Sequence, residues 1–407
     1  MQNDERWIAV SRSSFIVHRF VVFVVKSFHL QMNQSSEKTK ILIIAPALPL
    51  VGGQAVQAQR LLENFRREQH LTVDLQPINP QVAPRLQKIP YLRTIVTSLK
   101  YLFDLFGKIP RADIVHIFSA AYYGFVLSVV PAILLAKLFG KKTIVNYRSG
   151  EAETFFRGWG GRFLWVMRRA DAVVSPSGYL VDVFAKFDIR GRSIFNIIDT
   201  DKFNFRERKA LRPVFLSNRS LESLYNIECI FRAFKIISER FPEARLIVAN
   251  DGIERENLKS AAREMNLKSI EFIGLVPQDK IAELYDSVDV YLNSPKFDCM
   301  PGSLIECFAS GLPVVSTNAG GIPYIVADGE TGLLVETNDH EALAAKAIYL
   351  LENAAVAQMI IDNARKECAK YSWEAIRPQW LALYEKLAAE SKGKTEPQAL
   401  LEIEKKV

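Results

Sequence analysis

Apolar residues along the chain fall into short, nearly continuous blocks that alternate with longer stretches of helical spacing. ILIIA at 41–45 is one such block; the turn PALPLVGG follows it, and then AVQAQRLLENFRRE, whose apolar positions recur every three or four residues. The alternation continues through LTVDLQ, DIVHIFS, KTIVNYR and AVVSPS. It restarts after a connector at PVFLSN and runs on through CIFRAFKIISERF, ARLIVAN, RENLKSAAREM, EFIG, KIAELYDS, VDVYLNS and PVVST. Apolar strands separated by helices belong to parallel sheets covered on both faces. The pattern predicts an α/β chain of two doubly wound Rossmann-like domains, residues 41–195 and 205–370, facing across a cleft at the carboxyl ends of their strands. A last helix over 371–390 is predicted to pack back on the first domain, followed by a charged tail at 391–407.

Three apolar runs need separate readings. FIVHRFVVFVVKSFHL (15–30) is interrupted by His18, Arg19 and Lys26 and is too short and too charged to span a bilayer. Residues 1–40 therefore read as a leader outside the fold: a poor signal sequence, an interfacial anchor, or upstream sequence ahead of a start at Met32, the last being favoured. The run at 119–140 carries Pro131 between two strand-like blocks and is predicted to be a buried crossover helix. IPYLRTIVTSLKYLFDLFGKIPR (89–111) mixes basic and apolar residues and has two readings, a helix packed in the first domain or a face laid on an anionic membrane.

Composition narrows the chemistry. The chain has 407 residues, 49% hydrophobic and 24% charged, with a net charge of +7. That charge suits an anionic small molecule or an acidic membrane surface, and no nucleic-acid motif is present, so no nucleic-acid partner is expected. Cys229, Cys299, Cys307 and Cys368 show no C-x-x-C pairing, which argues against zinc and against a disulfide framework. A reducing, cytoplasmic compartment is expected, with the cytoplasmic face of a membrane as the place where the 89–111 run would bind.

The richest local chemistry is in FDCMPGSLIECFASGLPVVS (297–316). Asp298 sits on the loop leaving a strand, Pro301-Gly302-Ser303 opens the next helix, and Glu306 follows in its first turns. Unpaired amides at such a helix start suit phosphate or sugar oxygens, and two carboxylates suit hydroxyl groups. Taken alone, the pair also reads as a turn residue and a solvated first-turn acid.

This stretch resembles the donor-site motif of the GT-B-fold, nucleotide-sugar-dependent glycosyltransferases of family 4: an acid, a tight turn, a Glu eight positions on, then a small-residue run ending Gly-x-Pro-Val-Val. NAGGIPYIVADGETGLLV, NDGIERENL, FIGLVPQDKIAELYDSVDVYLNS and GGQAVQAQRLL resemble neighbouring segments of the family, so the likeness covers most of 41–388. The resemblance implies transfer of a sugar from a nucleoside-diphosphate sugar, with retention, without a metal ion or other cofactor, to an acceptor held on the first domain. It implies that Glu306 holds the ribose hydroxyls, that Asp298 touches the transferred sugar where relatives have Glu, and that Arg219 neutralises the diphosphate. Gly302, Ser303 and Leu304 would supply amides, and Leu275 and Val276 would lie near the base. Leu224 stands where the family has a second cation, a lysine.

Several positions keep two readings. Arg148 stands where many relatives have a His in the acceptor cleft; it reads as a substitute cation for acceptor or phosphate, or as a structural partner of Glu151 or Glu153. Gly52 and Gly53 read as a loop closing over the donor diphosphate or acceptor, or as a plain turn. DTD at 199–201 has the form of a metal-binding triplet but falls in the connector, and no metal site is expected. His116 inside DIVHIFS reads as a satisfied core residue. The competing classes are a GT-B-like binding or regulatory protein with a decayed donor site, favoured by Leu224 and Asp298, and a nicotinamide oxidoreductase, which lacks the G-x-G-x-x-G spacing.

Overall fold

A computed structural model describes residues 38–47, 52–80, 90–119 and 121–391, with side chains omitted at 90 and 91. Of the leader read at 1–40 and the tail read at 391–407, residues 1–37 and 392–407 lie outside the described residues, while Thr39 and Lys40 already belong to the first strand and Ser391 ends the last helix. The first sheet consists of β1 (Thr39–Ala45), β2 (Leu71–Pro77), β3 (Ile114–Ser119), β4 (Lys142–Tyr147), β5 (Ala172–Ser175) and β6 (Arg192–Ser193), in the order β2-β1-β3-β4-β5-β6. The second consists of β7 (Val214–Ser217), β8 (Arg245–Ala249), β9 (Ile270–Gly274), β10 (Val290–Asn293), β11 (Val314–Thr317) and β12 (Leu333–Val335), in the order β12-β11-β10-β7-β8-β9. Every pairing is parallel. Strands β3, β10 and β11 are buried along their whole length and β4 from Thr143 onward, which is why they read as continuous apolar blocks rather than alternating ones.

In each sheet the first strand has its successor on one side and a later strand on the other. The chain therefore switches direction between β1 and β3, and between β7 and β10. Loops leaving the two strands at a switch point diverge and open a crevice. The helix Trp373–Ser391 lies against the first sheet: Ile376, Trp380, Leu383, Tyr384 and Leu387 share a core with Ile41, Ile43 and Ile114.

His116 is wholly buried in that packing. Its ring meets the Tyr384 hydroxyl at 2.8 Å and the Asn146 amide at 3.2 Å, and it lies 4.7 Å from the Trp380 ring. Burial, with the Arg148 charge, depresses its pKa to about 3, so it is a neutral, satisfied core residue.

The run at 119–140 differs from the buried crossover helix expected. It forms helix Tyr122–Gly124, a π turn Phe125–Val129 and helix Val130–Leu138, and only one side is buried, through Phe125, Val129, Ala132, Ile133 and Ala136. Leu127, Leu134 and Leu138 remain exposed on the other. A segment apolar on both faces gives no periodicity from which the buried side can be read. Among the described residues no single helix is long and apolar enough to cross a membrane.

An arginine cluster fixes the helix that bears the candidate site. Arg208, 2% exposed, donates to the carbonyl oxygens of Ser310 and Gly311, both at 2.6 Å, at the C-terminal end of helix Gly302–Ala309, where a cation opposes the helix dipole. Asp289, 1% exposed, balances it: Arg206 donates to one oxygen, and the backbone and Nε of Arg212 donate to the other at 2.7 and 2.8 Å. Burial would raise its pKa, but the hydrogen bonds from Arg212 and Arg206 hold it below the usual carboxylate value. Asp289→Ala leaves these cations without their counter-charge, and is expected to cost about 3–5 kcal/mol in denaturant unfolding.

Candidate donor site at the second switch point

Arg219 leaves the carboxyl end of β7 and Asp298 the carboxyl end of β10, so strand order brings together residues 79 positions apart. An Arg219 guanidinium nitrogen donates to an Asp298 carboxylate oxygen at 2.6 Å, and another donates to Ser303 Oγ at 3.2 Å. The guanidinium lies over the Tyr225 ring at 4.4 Å, while its buried Nε has no partner among the described residues. Opposed by burial, the Asp298 charge holds the Arg219 pKa above its ordinary value, so this cation is permanent. The other Asp298 oxygen accepts from the Cys299 amide at 2.7 Å. Gly320, at φ +58, and Gly321 press on this loop. A Cβ would sit 2.3 Å from the Asp298 carbonyl oxygen at the first and 1.8 Å from that of Cys299 at the second, so only glycine fits.

The helix Gly302–Ala309 starts beside this pair. Its N-cap is Pro301, whose side chain makes no cap hydrogen bond, and its first turn carries no acid, so the amides of Gly302, Ser303 and Leu304 lie in the unpaired first turn. The Leu304 amide reaches only the Pro301 carbonyl, at 3.2 Å. A Cβ on Gly302 would approach Ile198 of the connector at 3.2 Å. Glu306 accepts from the Tyr285 hydroxyl at 2.8 Å, and that hydroxyl accepts from the Asn218 amide at 2.8 Å. Asn218 in turn accepts from the Tyr291 hydroxyl at 2.6 Å, which lies 3.1 Å from Ser303 Oγ. One hydrogen-bonded chain thus runs from Glu306 to Arg219 and Asp298, fixing both carboxylates relative to the helix start.

Other expected residues lie around this centre. Leu275, 69% exposed, and Val276, half-buried, follow β9 on the same carboxyl edge. The Asn250 amide N–H donates to the Gly274 carbonyl at 2.6 Å and its side chain to the Asn218 carbonyl at 3.3 Å, tying that loop to the centre. Across the cleft, Gly150 comes within 3.4 Å of the Asp298 backbone, measured from the Cβ it lacks. Gly52 and Gly53 are exposed at the open start of helix Gly53–Phe65, with no atom within 4 Å of a built Cβ.

Arg148 contacts neither Glu151 nor Glu153. Glu151 accepts from the Tyr122 hydroxyl at 3.4 Å, and Glu153 pairs with Arg157 and Lys186, each at 2.7 Å. Arg148 instead donates to the Asn196 side chain and to Asn146 at 3.4 Å, over the Phe118 ring at 5.2 Å. Asn196 also holds Met300, so Arg148 stands on the rim shared with the Asp298 loop. Burial lowers its pKa only to about 10, leaving it charged with no carboxylate partner among the described residues. In the connector, Asp199 is engaged by Arg60 at 3.4 Å and Lys202 at 2.9 Å.

Sequence reasoning missed four contributors. Asn218, Tyr285 and Tyr291 orient Glu306 and Ser303 from separate elements, and Arg60 of the first domain acts on Glu306 across the cleft. Near Leu224, whose carbonyl accepts from the backbone amide of Lys296 at 2.9 Å, the Lys296 side chain is exposed two residues before Asp298. Only Asn218, next to Arg219, had a local signal.

Residues 199–367 match the family described as glycosyl transferases group 1. Among curated relatives, sulfoquinovosyl transferase SQD2 of Arabidopsis thaliana is 27% identical over 310 residues, 70% of this chain and 59% of that protein. A GDP-mannose-dependent alpha-mannosyltransferase of Mycobacterium tuberculosis is 24% identical over 384 residues, 85% of this chain and 96% of that one. The match spans 59%, 52% and 41% of the lengths of SQD2, an uncharacterized glycosyltransferase of Methanocaldococcus jannaschii and a D-inositol 3-phosphate glycosyltransferase of Corynebacterium urealyticum. Of solved structures, sucrose-phosphate synthase from Thermosynechococcus elongatus superposes with a TM-score of 0.72 at 21% identity, covering 87% of this chain and all of that one (100%). Anabaena HepE in complex with UDP and glucose superposes with a TM-score of 0.66 at 16% identity, covering 85% and 99%. The two parallel six-stranded sheets share the GT-B fold of these structures, and Arg219, Asp298 and Glu306 all lie inside the stretch that matches the glycosyl transferases of group 1.

Proposed function

We propose that the chain transfers a glycosyl group from a nucleoside-diphosphate sugar held on the second domain to an acceptor on the first. The observation that carries this reading is the convergence of Arg219, Asp298 and the open start of helix Gly302–Ala309 at the switch point, with Glu306 anchored behind them. HepE, solved with UDP and glucose, has the same fold and supports a nucleotide-sugar donor here.

On this reading the pyrophosphate lies against Arg219 and the free amides at the helix start, whose positive ends stabilise the charge growing on the departing diphosphate. Glu306 receives the ribose hydroxyls, Asp298 a sugar hydroxyl, and Leu275 and Val276 border the base. The transfer proceeds with retention and without a metal ion, in the cytoplasm, as the family resemblance implies. The test is nucleoside-diphosphate release over a panel of UDP-, GDP- and ADP-sugars with candidate acceptors. No release with any pair would contradict transfer.

Leu224 and the contact between Arg219 and Asp298 favour a second reading, a GT-B-like binding or regulatory protein. Two further cations bear on the choice. Arg148 is a half-buried cation with no carboxylate partner among the described residues, and the backbone amide of Lys296 donates to the Leu224 carbonyl. If they complete the diphosphate site, Arg148→Ala and Lys296→Ala are each expected to lower release about tenfold with little change in melting temperature, since a charge-assisted contact is lost in each. Unaltered release in both would leave Arg219 as the sole side-chain cation at the diphosphate.

A further inference from the structure

The helix Pro90–Lys108 buries one side and exposes an apolar stripe on another. Tyr101 and Leu105 are buried, at 2% and 0% exposure, whereas Leu99 and Phe103 are 62% and 80% exposed. Leu92, Ile95 and Phe106 extend the stripe, at spacings of three and four residues that keep it on one face of the helix. A globular protein gains nothing in water from such a face.

The stripe continues onto the neighbouring segment. Phe106 packs edge-on against Phe139 at 6.3 Å, next to exposed Leu138 and Leu134. The outer face of 122–138 then leads through Leu127 to Tyr123, 77% exposed, whose ring lies 5.6 Å from that of Trp159. Tyr123 follows β3 at the cleft edge of the sheet, beside Tyr122, which donates to Glu151. The apolar surface therefore reaches from the back of the first domain to the mouth of the cleft.

The charge around it has one sign. Residues 90–142 contain seven Lys or Arg, two Asp and no Glu, an excess of five in a chain whose total is +7. Arg93 and Arg111 are exposed and have no ion-pair partner among the described residues. A two-helix apolar face ending in a tyrosine and a tryptophan, and framed by unpaired arginines, matches the chemistry of a bilayer interface with negative headgroups. A second protein surface would have to be both apolar and acidic to fit as well.

We propose that this face docks the first domain on an anionic lipid bilayer, with the cleft mouth at the headgroup level. The docking does not depend on the chemistry in the cleft. If the glycosyl-transfer reading also holds, an acceptor hydroxyl carried on a lipid would reach the site without leaving the membrane.

The experiment is flotation of the full chain with vesicles of phosphatidylcholine alone and of phosphatidylcholine mixed with phosphatidylglycerol, at low and high salt. Binding is expected to the mixed vesicles only, weakening as salt rises. The double change Leu99→Glu and Phe103→Glu is expected to weaken binding about tenfold or more at unchanged melting temperature, because both positions are exposed. Arg93→Glu with Arg111→Glu is expected to act in the same direction. Met359→Glu, at an exposed position on the second domain, is expected to leave binding intact. Failure of the full chain to float with the anionic vesicles overturns the proposal, including the case in which a second copy or residues 1–37 cover the face. Binding that survives the Leu99/Phe103 change also overturns it, since the contact would then lie elsewhere.

Discussion

Replacing Arg219 with alanine is expected to lower nucleoside-diphosphate release by about a hundredfold or more, the usual cost of removing a fixed charge at a developing anion. The guanidinium is already locked in place before any ligand arrives. Asp298, Ser303 and the Tyr225 ring hold three of its faces, and its buried Nε has no partner among the described residues. A cation held this way is preorganised for a diphosphate, which would share it with Asp298. Loss of the arginine also strips one Asp298 oxygen of its donor, so some destabilisation is expected, on the order of 1–3 kcal/mol. Asp298→Asn separates the two effects: it frees the guanidinium without removing it, and diphosphate affinity is expected to hold or rise while sugar transfer falls. Release by Arg219→Ala equal to that of wild type would refute the phosphate role.

Glu306→Gln is expected to weaken nucleotide binding about tenfold or more while leaving the melting temperature at pH 7 unchanged or higher. Burial pushes the Glu306 carboxyl above its ordinary value, against the Tyr285 hydrogen bond and the Arg60 and Arg219 charges. A carboxyl whose folded pKa is raised favours folding most when protonated, and that contribution is lost as pH rises through the folded value. The neutral amide therefore removes a destabilising charge, while its oxygen can still accept from Tyr285. Accepting two ribose hydroxyls needs the ionised form. Nucleotide affinity is accordingly expected to fall on acidification at a higher pH than the ordinary glutamate value of 4.5 would give. An affinity that stays flat through that window would remove Glu306 from the site.

The architecture was legible because buried parallel strands such as 114–119 and 290–293 appear as continuous apolar blocks. Asp298, Gly302 and Glu306 were legible as a group because one loop and one short helix carry them. The partnership of Arg219 with Asp298 was not, since it arises only when β7 and β10 become neighbours, a matter of sheet order rather than of spacing. The anchoring of Glu306 through Tyr285 and Asn218 is hidden for the same reason. The two readings of Arg148 could not be separated in the sequence, because only the fold shows that the helix Ala152–Arg157 gives Glu153 to Lys186 and Arg157. The outward face of 122–138 was hidden by its own composition, apolar on both sides.

Calorimetric titration of UDP, GDP and ADP into wild type, Arg219→Ala and Glu306→Gln tests the central claim most directly, because it reads the nucleotide site without requiring the acceptor. At least one nucleoside diphosphate is expected to bind wild type at a single site, and both changes are expected to weaken it about tenfold or more. Absence of binding to wild type by all three, or equal affinity in all three proteins, would contradict the central claim.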